Sequence, residues 1–133
     1  MTVSIWETNA DAINVKLMIS GLLLRAITKK ILVGCIYRRP KAASGIPHFT
    51  ENLNTLMKNI KDNTTAIIAG DFNIDLINTD NNHVEQYTNT ILQNSFIPCI
   101  TIPTRVTDHS ASIIDHILLK TPKKAYPNKN ICW

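Results

Sequence analysis

A chain of 133 residues with 44% hydrophobic and 18% charged residues has the composition of one small folded domain, which excludes a disordered or low-complexity polymer. The net charge of +4 allows an anionic partner without requiring one. Cys35, Cys99 and Cys132 are odd in number and lack zinc-like spacing, and the apolar stretch over residues 17–37 is broken by Arg25, Lys29 and Lys30. No disulfide framework, zinc site, membrane span or signal peptide is therefore expected, and an intracellular compartment is.

Residues 4–24 hold strand-like pieces, SIW and INVKLMI, without a clear turn between them. Residues 30–37, KILVGCIY, are a short β-branched run closed by Arg38, Arg39 and Pro40, the pattern of a buried strand ending in a loop. Phe49, Leu53, Leu56, Met57 and Ile60 then recur at helical spacing and predict a helix whose stripe covers a sheet face. Residues 65–72 repeat the strand pattern, so strand, helix and strand predict a βαβ unit with a parallel pair. A second helix is predicted over residues 83–95, where Val84, Tyr87, Ile91 and Leu92 share a face and Asn82 with Glu85 suits a capping box. Beyond a loop holding Pro98 and Pro103, residues 112–120 predict one more strand. The class is α/β.

Charge is unevenly distributed. Arg25, Lys29, Lys30, Arg38, Arg39 and Lys41 form one basic run and Lys120, Lys123, Lys124 and Lys129 another, with no Lys or Arg between Lys61 and Arg105. That middle stretch holds Asp62, Asp71, Asp75, Asp80 and Glu85. One reading is an acidic site between cationic flanks, suited to a metal ion and a phosphate; the other is two solvated faces.

Ala69-Gly70-Asp71-Phe72-Asn73 ends a buried strand, where active sites of α/β sheets collect. Strand alternation sets Asp71, Asn73 and Asp75 on one side and Phe72 and Ile74 on the other. A carboxylate handling a water beside an amide donating to a phosphoryl oxygen suits phosphodiester chemistry, while Gly-Asp-X-Asn alone is also the composition of a turn. In the last strand Asp115 shares a face with Ile113, Ile117 and Leu119, and His116 with Ser112, Ile114 and Leu118. Adjacent residues of a strand do not act together on one substrate. Asp115 reads as an orienter of some other side chain, or as a loop cap, and His116 as a packed strand residue.

Taken together, Tyr37-Arg38-Arg39-Pro40, Gly70-Asp71-Phe72-Asn73-Ile74-Asp75, Pro103-Thr104-Arg105 and Ser112-Ile113-Ile114-Asp115-His116-Ile117 resemble, in order and spacing, the endonuclease/exonuclease/phosphatase superfamily. The resemblance runs over about residues 30 to 120 and points to the endonuclease domain of non-LTR (LINE-type, Jockey or CR1-like) retrotransposons. It implies a four-layered, DNase I-like α/β sandwich and a Mg2+-dependent phosphodiesterase. Such an enzyme nicks DNA and leaves a 3′ hydroxyl that primes a reverse transcriptase in the same polyprotein. By motif, Asp71 would position or activate the water, Asn73 would hold a phosphoryl oxygen, and Tyr37, Arg38 and Thr104 would contact phosphate or DNA. Asp115 would orient a catalytic histidine, with Ser112 and His116 supporting the site.

The family places that histidine in a Ser-Asp-His motif beyond the Asp115 strand, and no such motif follows His116 here. It also draws an Asn and a metal-binding Glu from strands before Tyr37, where this chain has Glu7 and Asp11 in other contexts. Ser4-Ile5-Trp6-Glu7 resembles the strand shortly before the Tyr37 strand, and residues 8–28 match nothing in the pattern. The expected organisation is a leader over 1–29 with possible strands, a partial domain over 30–120 and a basic tail over 121–133. As a sandwich truncated at both ends, it should expose the apolar faces of Ile36, Ile67 and Ile114, and should have little or no nuclease activity by itself. A non-catalytic nucleic-acid-binding remnant and a lipid or nucleotide phosphatase of the same superfamily are the alternatives. DNA-directed work implies action in the nucleus.

Overall fold

In the computed structural model the backbone is described for residues 6–7, 14–19, 31–41 and 45–123, and side chains for 31–41 and 45–123. The first apolar run forms β3 (Ile31–Tyr37), preceded by β1 (Trp6–Glu7) and β2 (Asn14–Ile19), so both strand-like pieces of the leader contain strands. The helical stripe forms α1 (Gly45–Lys58), and the second run forms β4 (Thr65–Asp71). The remainder is α2 (Asn82–Gln93), β5 (Ile97–Pro98), β6 (Arg105–Val106), β7 (Ala111–Ser112) and β8 (Asp115–Lys120). Six strands pair in the order β1-β2-β3-β4-β8-β5, and β6 pairs with β7 separately. As expected of a βαβ unit, β3 and β4 are parallel; the other pairs of the large sheet are antiparallel.

Both helices pack on one face of this sheet, because each presents a single apolar stripe. From the sheet come Ile36, Ala66, Ile68 and Leu118, and from the helices Phe49, Leu53, Met57, Val84, Tyr87 and Ile91. Three rings meet in this core: Phe72 lies 5.8 Å from Phe49 and 6.1 Å from Tyr87 between centroids. Ile36 is therefore buried, 1% exposed, under the helices rather than laid bare, which corrects the expectation for that residue. Ile67 and Ile114 are half-buried. Ile31, Ile97 and Ile117 remain exposed.

Glycine is required at Gly70. Its φ is +153°, and a Cβ there would lie 1.8 Å from the carbonyl oxygen of Ile36, its register partner on β3.

Three local expectations change. The cap of α2 is Asn81, whose side chain accepts from the His83 N–H at 2.9 Å, one residue before the expected Asn82. With that frame Glu85 no longer stands at the capping-box position, and no box forms. The helix ends in a Schellman arrangement on Ser95, at φ 64°: Phe96 N–H donates to Ile91 O and Ser95 N–H to Leu92 O.

The strand expected over 112–120 is split, since β7 pairs with β6 while β8 pairs with β4. Between them, Ile113 N–H donates to the Asp75 carboxylate and Ile114 N–H to the Thr104 hydroxyl. Lys120 leaves the expected basic flank. Its ammonium is buried, donating to Ile60 O at 3.0 Å and to Asp62 at 3.3 Å.

Candidate active site

The carboxyl ends of β3 and β4 meet the start of β8, and the register sets one residue of each side by side. Tyr37 pairs with Asp71, and Asp71 with Asp115. Backbone register extends the line outward through Asn14 on β2 and Glu7 on β1. The pleat turns Ile36, Gly70 and His116 toward the helices, so Tyr37, Asp71 and Asp115 stand on the opposite face. Tyr37 is 49% exposed and both carboxylates are half-buried. Directly opposed residues of an antiparallel pair have Cα atoms about 4.5–5.5 Å apart, so Asp71 and Asp115 can address one group between them.

Beyond Asp71 the chain leaves strand geometry, yet the expected alternation survives in burial. Phe72 and Ile74 are wholly buried while Asn73 and Asp75 stay half-exposed. Asn73 sits in the left-handed region at φ 50°, which Asn tolerates better than most residues. Its N–H donates to Asp71 Oδ1 at 3.2 Å and its side-chain amide to Arg38 O at 2.7 Å. Among the described residues one side-chain amide hydrogen of Asn73 has no partner and remains for a ligand. Asp75 is not free in this way. Its Oδ1 accepts from Ile77 N–H at 3.1 Å and Ile113 N–H at 2.9 Å, and so ties the loop to the segment before β8.

Arg38 departs from its expected place at the DNA surface. It is 4% exposed, its Nη1 donates to Asn73 O at 3.1 Å, and the guanidinium lies over the Phe49 ring at 5.8 Å. Burial also lowers its pKa. Arg39 and Lys41, which follow Tyr37 in the chain, and Arg105, next to Thr104, are exposed instead. Thr104 is exposed, but its hydroxyl accepts from the Ile114 and Asp115 N–H groups, both at 3.2 Å, and so fixes the entry to β8. Ser112, half-buried on β7, accepts the Thr104 N–H through its carbonyl at 2.9 Å.

His116 lies behind the row, 1% exposed and stacked 4.8 Å from Phe72. Its Nε2 faces the carbonyls of Ile74 at 2.9 Å and Ile113 at 3.2 Å, so Nε2 carries the proton. Its Nδ1 is then the acceptor for the Tyr87 hydroxyl at 2.7 Å. Burial lowers the His116 pKa, outweighing the pull of the two carbonyls and of Asp115 and Asp71. Burial likewise pushes the Tyr87 phenol up. With both nitrogens occupied, His116 joins the Asn73 loop to the Asp115 segment and touches no substrate. Tyr87 was hidden in the sequence as one apolar position of a helix. The signal for it is chemical: a buried phenol needs a partner, and His116 is a polar residue in an apolar strand.

Among the described residues, no three His, Cys, Asp or Glu side chains converge on a point that could hold a metal ion. These residues alone do not make a metal centre. A cleft of about 380 Å³ lies elsewhere, between α2 and residues 98–101, and none of the row's residues lines it. No described helix is long and apolar enough to cross a membrane.

A model of the endonuclease-reverse transcriptase family matches residues 31–132. The chain belongs to that family. Among solved structures it is similar to the endonuclease domain of TRAS1, a telomere-specific non-LTR retrotransposon, with 18% identity and a TM-score of 0.58. That match covers 80% of this chain and 48% of the TRAS1 domain, so the chain spans about half the length of that domain. An endonuclease/exonuclease/phosphatase family protein from Leptotrichia buccalis matches at 14% identity and a TM-score of 0.49, over 82% of this chain and 42% of that one. No curated protein matches. The fold is thus α/β and of the DNase I-like endonuclease/exonuclease/phosphatase kind.

Proposed function

We propose that this chain carries part of the DNA endonuclease site of a non-LTR retrotransposon, cutting a phosphodiester to leave a 3′ hydroxyl for a reverse transcriptase in the same polyprotein. The observation behind this reading is the register line that sets Tyr37, Asp71 and Asp115 side by side, with the Asn73 backbone N–H donating to the Asp71 carboxylate. Asp71 would position the attacking water and accept its proton, and the free Asn73 N–H would hold a phosphoryl oxygen. Tyr37, half exposed, would contact the phosphate. Arg39, Lys41 and Arg105 would meet neighbouring phosphates in place of Arg38. Asp115 would orient a histidine other than His116.

The Mg2+ implied by the resemblance has no ready-made seat among the described residues. Without the family's histidine motif after His116, nicking by this chain should be weak, about 10²-fold or more below a complete site. Conversion of supercoiled plasmid to open circle, with Mg2+ and with EDTA, tests the reading. Asp71→Asn should lower the residual rate by a further 10²-fold or so.

The exposed cations also favour a second reading, a nucleic-acid-binding piece without catalysis. In that case DNA binding falls steeply with salt and is indifferent to Asp71→Asn, and no nicking accompanies it.

A further inference from the structure

We infer that Arg38 is a positioning residue for the Asn73 amide, an inference that rests on the endonuclease reading of this site. Three hydrogen bonds lace Arg38 to the end of β4. Its N–H donates to Asp71 O at 2.9 Å, its carbonyl accepts from the Asn73 amide at 2.7 Å, and its Nη1 donates to Asn73 O at 3.1 Å. The last two form a reciprocal clamp around one residue held at φ 50°.

Burying a guanidinium against one carbonyl and one ring is a poor exchange for stability, since the charge gives up its water shell without an anionic partner among the described residues. The clamp's effect is geometric instead. Left to itself, a residue in the left-handed region relaxes toward ordinary backbone angles and swings its side chain with it. Arg38 removes that freedom from both ends of Asn73, its carbonyl and its amide. Phe49 on α1 backs the guanidinium, so the helix layer helps to set the aim of the Asn73 amide. One amide hydrogen of Asn73 is fixed on Arg38 O, and the other is thereby held in one direction for a ligand.

The test compares the 133-residue chain with Arg38→Ala and Arg38→Lys. Hydrogen exchange of the Asn73 side-chain amide, read by NMR, should accelerate about tenfold or more in Arg38→Ala. Arg38→Lys should recover part of the protection, because an ammonium reaches the same carbonyl as a point donor. Plasmid nicking should lose about 10- to 100-fold in kcat with KM unchanged. The salt slope of DNA binding should be the same in all three proteins.

A fall of about one unit in that slope for Arg38→Ala would mean a phosphate contact and overturn the inference. So would an unchanged Asn73 exchange rate. If the unsubstituted chain neither binds nor nicks DNA, the endonuclease reading fails, and the exchange measurement still decides the clamp. If Arg38→Ala does not fold, Arg38→Met, which keeps the apolar stem and removes both the donor and the charge, gives the exchange and salt readings in its place.

Discussion

The two faces of the sheet do different work from the same strands. On the helix-covered face, Ile36, Ile68, His116 and Leu118 are buried among the stripes of α1 and α2. On the other face, one residue away along each strand, stand Tyr37, Asp71 and Asp115. The pleat alone makes this division, and it puts the adjacent Asp115 and His116 on opposite faces. Core and site are also joined: His116 holds the Asn73 loop from behind, and Arg38 reaches it from the side. The open face is aimed by the closed one.

The largest effect should come from breaking the closed face. Phe72 touches Phe49, Tyr87 and His116, and Phe72→Ala should cost about 3–5 kcal/mol in urea unfolding. A loss under about 1 kcal/mol would show that the ring cluster is not the core.

Acid should act on the same face more gently. Because the folded state lowers the His116 pKa below 6.5, the unfolded chain takes up the proton first. Stability is then fully present above about pH 6.5 and declines as pH falls below that value. Urea midpoints at pH 7.5 and 5.5 should differ in that direction, and in His116→Gln the decline should shrink.

The smallest effect on stability belongs to the open face. Asp71→Asn keeps the oxygen that accepts the Asn73 N–H, and should leave stability within about 0.5 kcal/mol while it lowers nicking. A change of several kcal/mol would place Asp71 in the structural set.

Local patterns made most of the closed face legible. Period-2 and period-3.6 spacing located β3, α1, β4 and α2, and the parallel pair followed from their order. The turn after β4 could be located but not its shape, because Asn73 is held by Arg38, 35 residues away. Charge patterning placed Arg38 and Lys120 at the surface, yet both are buried on carbonyls remote in sequence. The break after Ser112 escaped for the same reason: Asp75 and Thr104 supply partners that no local pattern in residues 112–120 records. Placing Asp71 at a strand end needed only local sequence. Pairing it with Asp115 and Tyr37 needed the register.

In the proposed function, DNA meets this chain along the Tyr37, Asp71 and Asp115 line, with Asn73. Titration of the 15N-labelled protein with a short DNA duplex at low salt tests it most directly, whatever the turnover. Shift changes should concentrate at Tyr37, Arg39, Asp71, Asn73, Arg105 and Asp115, with the helix surfaces silent. Changes centred on α1 or α2, or none at all, would contradict it.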